Sequence, residues 1–543
     1  MRPGSRRATL WAAWALVLFG LSNVLGPPAA SLRRPGDPPT MSTAELQQRE
    51  GAVASLFTTL RDDGDIARYF AYAQATLGRI SDDPYLRPSG PDSRLLLQPP
   101  EARGRLVPWR DFVVEYPPGM MAAILIPAFL TGDYQVYLRL FLLETEIAFT
   151  LAVWLAVRTA DRWAAGAGDK ALGYALCATL CLGIVAVRRY DPWVALSLAA
   201  GTYALTTRRY ASAGVALALG IALKGSPLVA APVFALYAAS SEKGALTRFL
   251  GAGLATFGPC ALLYLAIAGP HALDSFAYHA ARPLQVETLY SGLIVLAHAA
   301  GFADADVIYS YGSHNIVSTL ELPLRHLSTL STILLILGVW IVAARQLATA
   351  VDDRRRALIL VGASTAALVS YIVAGKVFSP QYCVWLLPLA ATAAPFLNLS
   401  ANTALLLAFA LVQAEYPFLY DALFAHISVV GAAMSLLRAG LLAAYGIAAL
   451  WTPRPDPPAR QDRGESQRRR RMHHPEPTQR RDAVPRGSPR CCIQRAVGVQ
   501  KRAVRVSQSS PSKVPSLSRR SKPVPSCPGG PDKRPHIAAR SVD

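Results

Sequence analysis

Charge is scarce in this chain. Only 17% of its 543 residues are Asp, Glu, Lys or Arg, against 52% hydrophobic residues, and mean hydropathy is positive. That balance excludes a chain clothed mainly in solvated side chains. Cysteine is also sparse, with seven residues. Cys177, Cys181, Cys260 and Cys383 fall singly or at helical spacing in apolar segments, and Cys491, Cys492 and Cys527 lie near the end, so neither a zinc site nor a disulfide framework is spelled out. No internal repeat is evident, which weighs against a transporter built from repeated halves. Negative charge is short too, and the net charge is +20. From Pro453 onward, 22 Lys or Arg face 7 Asp or Glu, so most of the excess belongs to the tail rather than to a nucleic-acid-binding domain.

What is abundant is apolar sequence. Runs long enough for membrane helices recur from Thr9 to Trp451, at roughly 9–28, 134–157, 171–187, 192–207, 210–223, 226–240, 249–268, 327–345, 357–374, 383–397, 402–415 and 427–450. The pattern predicts an all-α polytopic membrane protein with about 12 transmembrane helices, within a range of 10–14. Two further apolar pieces, 117–130 with Pro127 and 289–300, are short for a ~30 Å hydrocarbon core and read as re-entrant or interfacial. The N-terminal run reads as a retained signal anchor. Residues 1–450 form the membrane domain, and 451–543, rich in Pro, Ser and Arg, read as a disordered basic cytoplasmic tail drawn to anionic lipid.

With the two short pieces not crossing, the positive-inside rule places the N-terminal arginines, Arg158/Arg162/Lys170, Arg208/Arg209, Lys243/Arg248, Arg345, Arg354 to Arg356 and the tail in the cytoplasm. The large loop of about residues 30–116 is then external. So are Asp65, Glu115, Arg188, Asp191, Lys224, Arg282, Gln285, Glu287, Lys376, Gln381 and Glu415, which come from distant loops yet could share one site. Within the loop, "DIARYFAYAQATLG" reads as a helix lying on the membrane. Ile66, Phe70, Ala73 and Leu77 form its apolar face, and Asp65, Tyr69 and Tyr72 a polar one.

An external Asp followed by "YFAYA", then "VPWRDFVVEYPPG", "RRYDPW", "LKGSPLVAAPVFAL", "RPLQVETLYSG" and "GKVFSPQYCVWLLPL", occur in an order that resembles glycosyltransferase family 87, membrane enzymes of the C superfamily. The last motif is also similar to its counterpart in the mannosyltransferase that adds the first mannose of glycosylphosphatidylinositol. The resemblance, over roughly residues 9–450, implies inverting transfer of a sugar, typically mannose, from a polyprenyl phosphate carrier to an acceptor hydroxyl at the outer face. A pentosyl transferase of the same fold and a lipid or solute transporter are the competing readings.

In the resemblance the catalytic base is an acid of the first external loop, which points to Asp65, with Asp62 and Asp63 nearby and Glu115 as the alternative. Three acids in four positions could hold a divalent ion, but no His or Asn ligand accompanies them, so no metal and no cofactor is expected. Lys376 ends an apolar span, where an unpaired ammonium is costly, and a lipid-linked phosphate is its natural partner. Arg282 offers a bidentate fork for the same phosphate, with Gln381 and Tyr382 as donors beside a helix break at Pro380. Tyr116, Gln285, Glu287, Arg189, Asp191 and His279 are candidates for substrate contact. Spacing alone does not make Gln285 and Glu287 a pair, Arg188, Arg189 and Asp191 read equally as an ion pair capping a span, and Trp193 and Trp385 read as interfacial belt residues. The expected partners are a polyprenyl phosphate sugar donor, a glycolipid or glycan acceptor and membrane lipids, with no nucleic acid. Arg- and Ala-rich usage suggests a bacterial inner membrane with the site on its external face.

Overall fold

The structure is a computed structural model that describes residues 3–23, 65–79 and 106–451. Asp62, Asp63, most of the 30–116 loop and the basic tail lie outside the described residues. Helix α1 (Pro3–Asn23) docks through buried Trp14, whose indole donates to Thr150 Oγ1 at 3.1 Å, and through Arg7, bonded to Asp161 at 2.9 Å and Asp169 at 2.5 Å. Helix α2 (Asp65–Thr76) follows, then α3 (Gly119–Leu130) and the 28-residue α4 (Tyr134–Asp161), whose first turn is capped by Asp133. Next come α5 (Ala167–Leu182), α6 (Asp191–Thr206), started by Pro192, α7 (Tyr210–Leu223), α8 (Ala231–Ala239) and α9 (Ala245–Ala268).

Short α10 (Asp274–Ala281) and α11 (Leu289–Ala299) precede an antiparallel hairpin, β1 (Asp306–Ser310) and β2 (Ser313–Val317), turned by Tyr311 and Gly312 at positive φ. Helices α12 (Glu321–Ala348), α13 (Asp353–Ala374), α14 (Tyr382–Ala393), α15 (Leu399–Gln413), α16 (Tyr420–Phe424) and α17 (Val429–Leu450) complete the bundle.

Among the described residues, seven helices are long and apolar enough to cross a membrane: α4, α5, α9, α12, α13, α15 and α17, several with short extensions. The protein is therefore an all-α integral membrane protein. The expected number of about twelve spans is not reached by this measure, because α6, α7, α8 and α14 have 16, 14, 9 and 12 residues and α1, though 21 residues long, is not among the seven. The two pieces expected not to cross form α3 and α11, of 12 and 11 residues, or under about 20 Å of rise each.

Side-chain size sorts the packing. Gly214 lets α7 lie against α9, since a Cβ there would stand 2.1 Å from the Phe249 carbonyl oxygen. Helix α13 is buried along most of its length, while α9 and α12 expose Leu254, Leu262, Leu334 and Ile341. In a bilayer those faces meet lipid at no cost. Helix α2 departs from the surface helix expected of it. Ile66, Tyr69, Tyr72 and Ala73 are all buried, with Tyr69 against Tyr116, Phe141 and Tyr190 and Tyr72 against Phe112. Both of its faces are apolar enough to be covered, and the phenols serve as rings in a core.

Candidate active site

The polar residues gather at one end of the bundle. Each of the two candidate bases is held by an arginine. Asp65, first residue of α2, places Oδ2 3.0 Å from Arg189 Nε, and its side chain keeps a quarter of its exposure. Burial pushes its carboxyl up, but Arg189, Arg68, Lys224 and Arg282 together outweigh that and hold it below the ordinary value, so it is ionised at neutral pH. Glu115 accepts from Arg68 Nη1 at 2.9 Å, and its backbone oxygen lies 2.9 Å from His279 Nε2. Its partner is thus Arg68, in the first turn of α2, and not Lys376.

Arg189 and Asp191 do not pair with each other. Arg189 turns to Asp65, and Asp191, fully buried at the start of α6, accepts from Lys224 Nζ at 2.9 Å and from Trp385 Nε1 at 2.6 Å. The rings of Trp385, Tyr382, Tyr190 and Tyr116 surround Lys224, with centroids between 5.1 and 5.8 Å from Nζ. Four π faces and one carboxylate make this buried ammonium affordable. Trp385 is consequently no belt residue: it is 1% exposed, because its indole N–H has a carboxylate to reach. The ring of Tyr382 stacks on it at 4.5 Å.

A second cationic group surrounds the end of α10. Lys376 Nζ donates to the Ala280 oxygen at 2.9 Å and Arg325 Nη1 to the Ala281 oxygen at 3.2 Å, while Arg282 Nη2 donates to Ser313 Oγ at 2.8 Å. Helix-terminal carbonyls, rather than an acid, hold the ammonium. Glu321 stands 3.5 Å from Arg325 and also accepts from the Leu284 N–H. Burial lowers the Lys376 pKa, and its neighbours Arg325 and Arg282 lower it further. An anion here would relieve that repulsion. The helix break expected at Pro380 spans Gly375–Gln381, and Gln381 is half-buried just before α14.

Gln285 and Glu287 do pair, contrary to what spacing suggests. A turn closed by Thr288 N–H onto the Gln285 oxygen at 3.0 Å folds the segment so that Gln285 Nε2 donates to Glu287 Oε2. Residues two apart diverge on a strand or helix, but a turn brings them to the same side. Burial, the leading effect, raises the Glu287 carboxyl to about 7 against the opposing pull of Arg438 and Gln285. Beneath it Arg438 of α17 is buried, salt-bridged to Glu415, bonded to the Glu287 oxygen and stacked over Phe378.

Four buried polar atoms of the site, Asp191 Oδ2, Arg282 Nε, Gln285 Oε1 and Glu287 Oε1, have no hydrogen-bond partner among the described residues. Such groups are costly to bury unmatched. Sequence reasoning passed over Arg438 and Arg68. Arg438 had a signal, a lone guanidinium inside an apolar span, which almost always has a functional or paired role. Arg68 had none, since a single arginine in an aromatic helix is ordinary.

The model of glycosyltransferase family 87 matches residues 112–371, a stretch that runs from just before Glu115 to the last turn of α13. Over these residues, just under half of the chain, the sequence is similar to glycosyltransferase family 87. No curated protein matches the sequence. Among solved structures, ArnT from Cupriavidus metallidurans bound to undecaprenyl phosphate aligns at 14% identity and TM-score 0.38, covering 80% of this chain and 77% of ArnT. The same protein in the apo state aligns at 14% identity and TM-score 0.35, over 71% and 72%. The family match supports glycosyltransferase activity, and Glu115, Tyr116, Arg189, Asp191, His279, Arg282, Gln285 and Glu287 all fall inside the matched segment. Asp65, Lys376, Gln381 and Tyr382 lie beyond its ends.

Proposed function

We propose that this protein is a family 87 enzyme that transfers mannose from a polyprenyl phosphate carrier to a hydroxyl of a glycolipid or glycan acceptor, at the external face of a bacterial inner membrane. The observation that carries the reading is the meeting, at one end of the bundle, of an ionised carboxylate, a three-cation cluster and four unmatched buried polar atoms. In this reaction the acceptor oxygen attacks the anomeric carbon from the side opposite the phosphate. The carbon–oxygen bond to phosphate breaks, polyprenyl phosphate leaves with the electron pair, and the acceptor proton passes to Asp65.

Arg189 keeps Asp65 charged and aimed until the proton arrives. Arg282 and Lys376, with Gln381 and Tyr382 beside them, stabilise the charge that grows on the leaving phosphate. Asp191, Gln285 and Glu287 suit sugar hydroxyls, while Tyr116, Arg189 and His279 border the same space. The cationic role falls to side chains, so no metal and no cofactor is required.

The test is transfer by the purified protein in detergent, with radiolabelled polyprenyl phosphomannose in one assay and decaprenyl phosphoarabinofuranose in another. Mannose transfer is expected, and Asp65→Asn should lower it by about 10²- to 10⁴-fold while the protein stays folded. Near-normal transfer by Asp65→Asn with loss in Glu115→Gln would move the base to Glu115. Transfer of arabinofuranose alone would overturn the sugar.

A further inference from the structure

The opposite end of the bundle holds a cavity of about 340 Å³ that the transfer site does not use. Helix α13 alone, with 22 residues, separates the two by roughly 30 Å. Its walls come from the end of α4, the turn between α6 and α7, the segment after α8 and the start of α13, four stretches with no sequence proximity. Arg162, Arg208, Arg354 and Arg356 line it against two carboxylates, Glu242 and Asp353.

The carboxylates are already committed. Asp353 is shared by Arg208 at 2.8 Å and Arg356 at 3.4 Å, and Glu242 is paired with Arg248. No carboxylate of the described residues stands within 4.0 Å of Arg162 or Arg354. Arg354 lies over the Phe396 ring instead, 5.4 Å from its centroid. Arg356 Nε is buried and has no hydrogen-bond acceptor among the described residues. The cavity therefore offers two guanidinium forks without acids and one donor without an acceptor, in a volume suited to a small ligand.

We propose that this cavity binds a phosphate ester. A guanidinium fork matches two phosphate oxygens at once, and the unmatched Arg356 donor would take a third. The ends of α4 and α13 set the site at the level of the membrane surface, where the phosphate of an anionic phospholipid is one source and a soluble phosphate ester the other.

The full-length protein is to be tested by two measurements: retention of dioleoylphosphatidylglycerol in native mass spectrometry from detergent, and the melting temperature with inorganic phosphate. The variant is Arg162→Gln/Arg354→Gln, both exposed positions that tolerate replacement, and Arg345→Gln, outside the cavity, is the control. Lipid retention is expected to fall about tenfold in the double variant and to hold in the control. A matching loss of phosphate-dependent stabilisation supports recognition of the phosphate itself. A response to the lipid alone assigns the site to headgroups, and a response to phosphate alone assigns it to soluble esters. Unchanged behaviour of the double variant with both probes, or an equal loss in Arg345→Gln, overturns the proposal.

Discussion

Glu287 and Arg438 show how much a single buried charge depends on its neighbours. The Glu287 carboxyl is raised from its ordinary value of 4.5 to about 7 by burial, so between those values the folded protein holds a proton that the unfolded chain releases. The stabilisation is full below about pH 4.5 and is lost as pH rises through about 7. Glu287→Gln, which mimics the protonated side chain, is expected to flatten the fall in melting temperature between pH 5 and pH 7.5. An unchanged slope would show that other groups set it. Arg438 works in the other direction, as a charge whose removal strands its partner. Arg438→Met leaves Glu415 buried and uncompensated, and should cost about 3–5 kcal/mol in chemical unfolding, while adding Glu415→Gln should return most of it. Loss in the double variant as large as in the single one would deny that the pair is what matters.

Elements reach the site only where backbones come close, and the Pro117–Pro118–Gly119 approach to α3 is the clearest case. A Cβ on Gly119 would stand 2.6 Å from the carbonyl carbon and oxygen of Ala222, in the last turn of α7, two residues before Lys224. Because the obstacle is backbone, it cannot rotate away. Gly119→Ala should therefore push α3 from α7, cost about 1–3 kcal/mol of stability, and lower transfer about tenfold by shifting Lys224 out of its ring of aromatics. Wild-type melting and wild-type transfer together would show that the contact is slack. Much at this scale was legible beforehand: apolar runs marked the helices, and Asp65 stood out as the acid before an aromatic helix. The burial of α2 was not legible, because tyrosines on a helix face suit both a membrane surface and a core. Nor were the pairings Arg189 with Asp65, Arg68 with Glu115 and Gln285 with Glu287, since they depend on loops and turns whose geometry leaves no period in the sequence.

At the scale of the whole molecule, the two ends of the bundle differ in kind. One gathers Asp65, Glu115, Asp191, Lys224, Arg282 and Lys376. The other gathers Arg162, Arg208, Lys243, Arg248 and Arg354 to Arg356, tied across the bundle by Arg208–Asp353, while α1 is held by Arg7–Asp161. Positive loops stay preferentially in the cytoplasm, so the arginine end is expected to face inward and the transfer site outward. Single cysteines in a full-length chain whose seven native cysteines are alanine provide the check. Asp306→Cys, exposed on β1 beside the site, should react with a membrane-impermeant maleimide in intact cells, and Lys243→Cys, exposed between α8 and α9, only after permeabilisation. The opposite pattern would place transfer on the cytoplasmic side. A soluble nucleotide-sugar donor, excluded from an outward site by the membrane, would then become accessible, and the case for a lipid-linked donor would have to rest on the cation cluster alone.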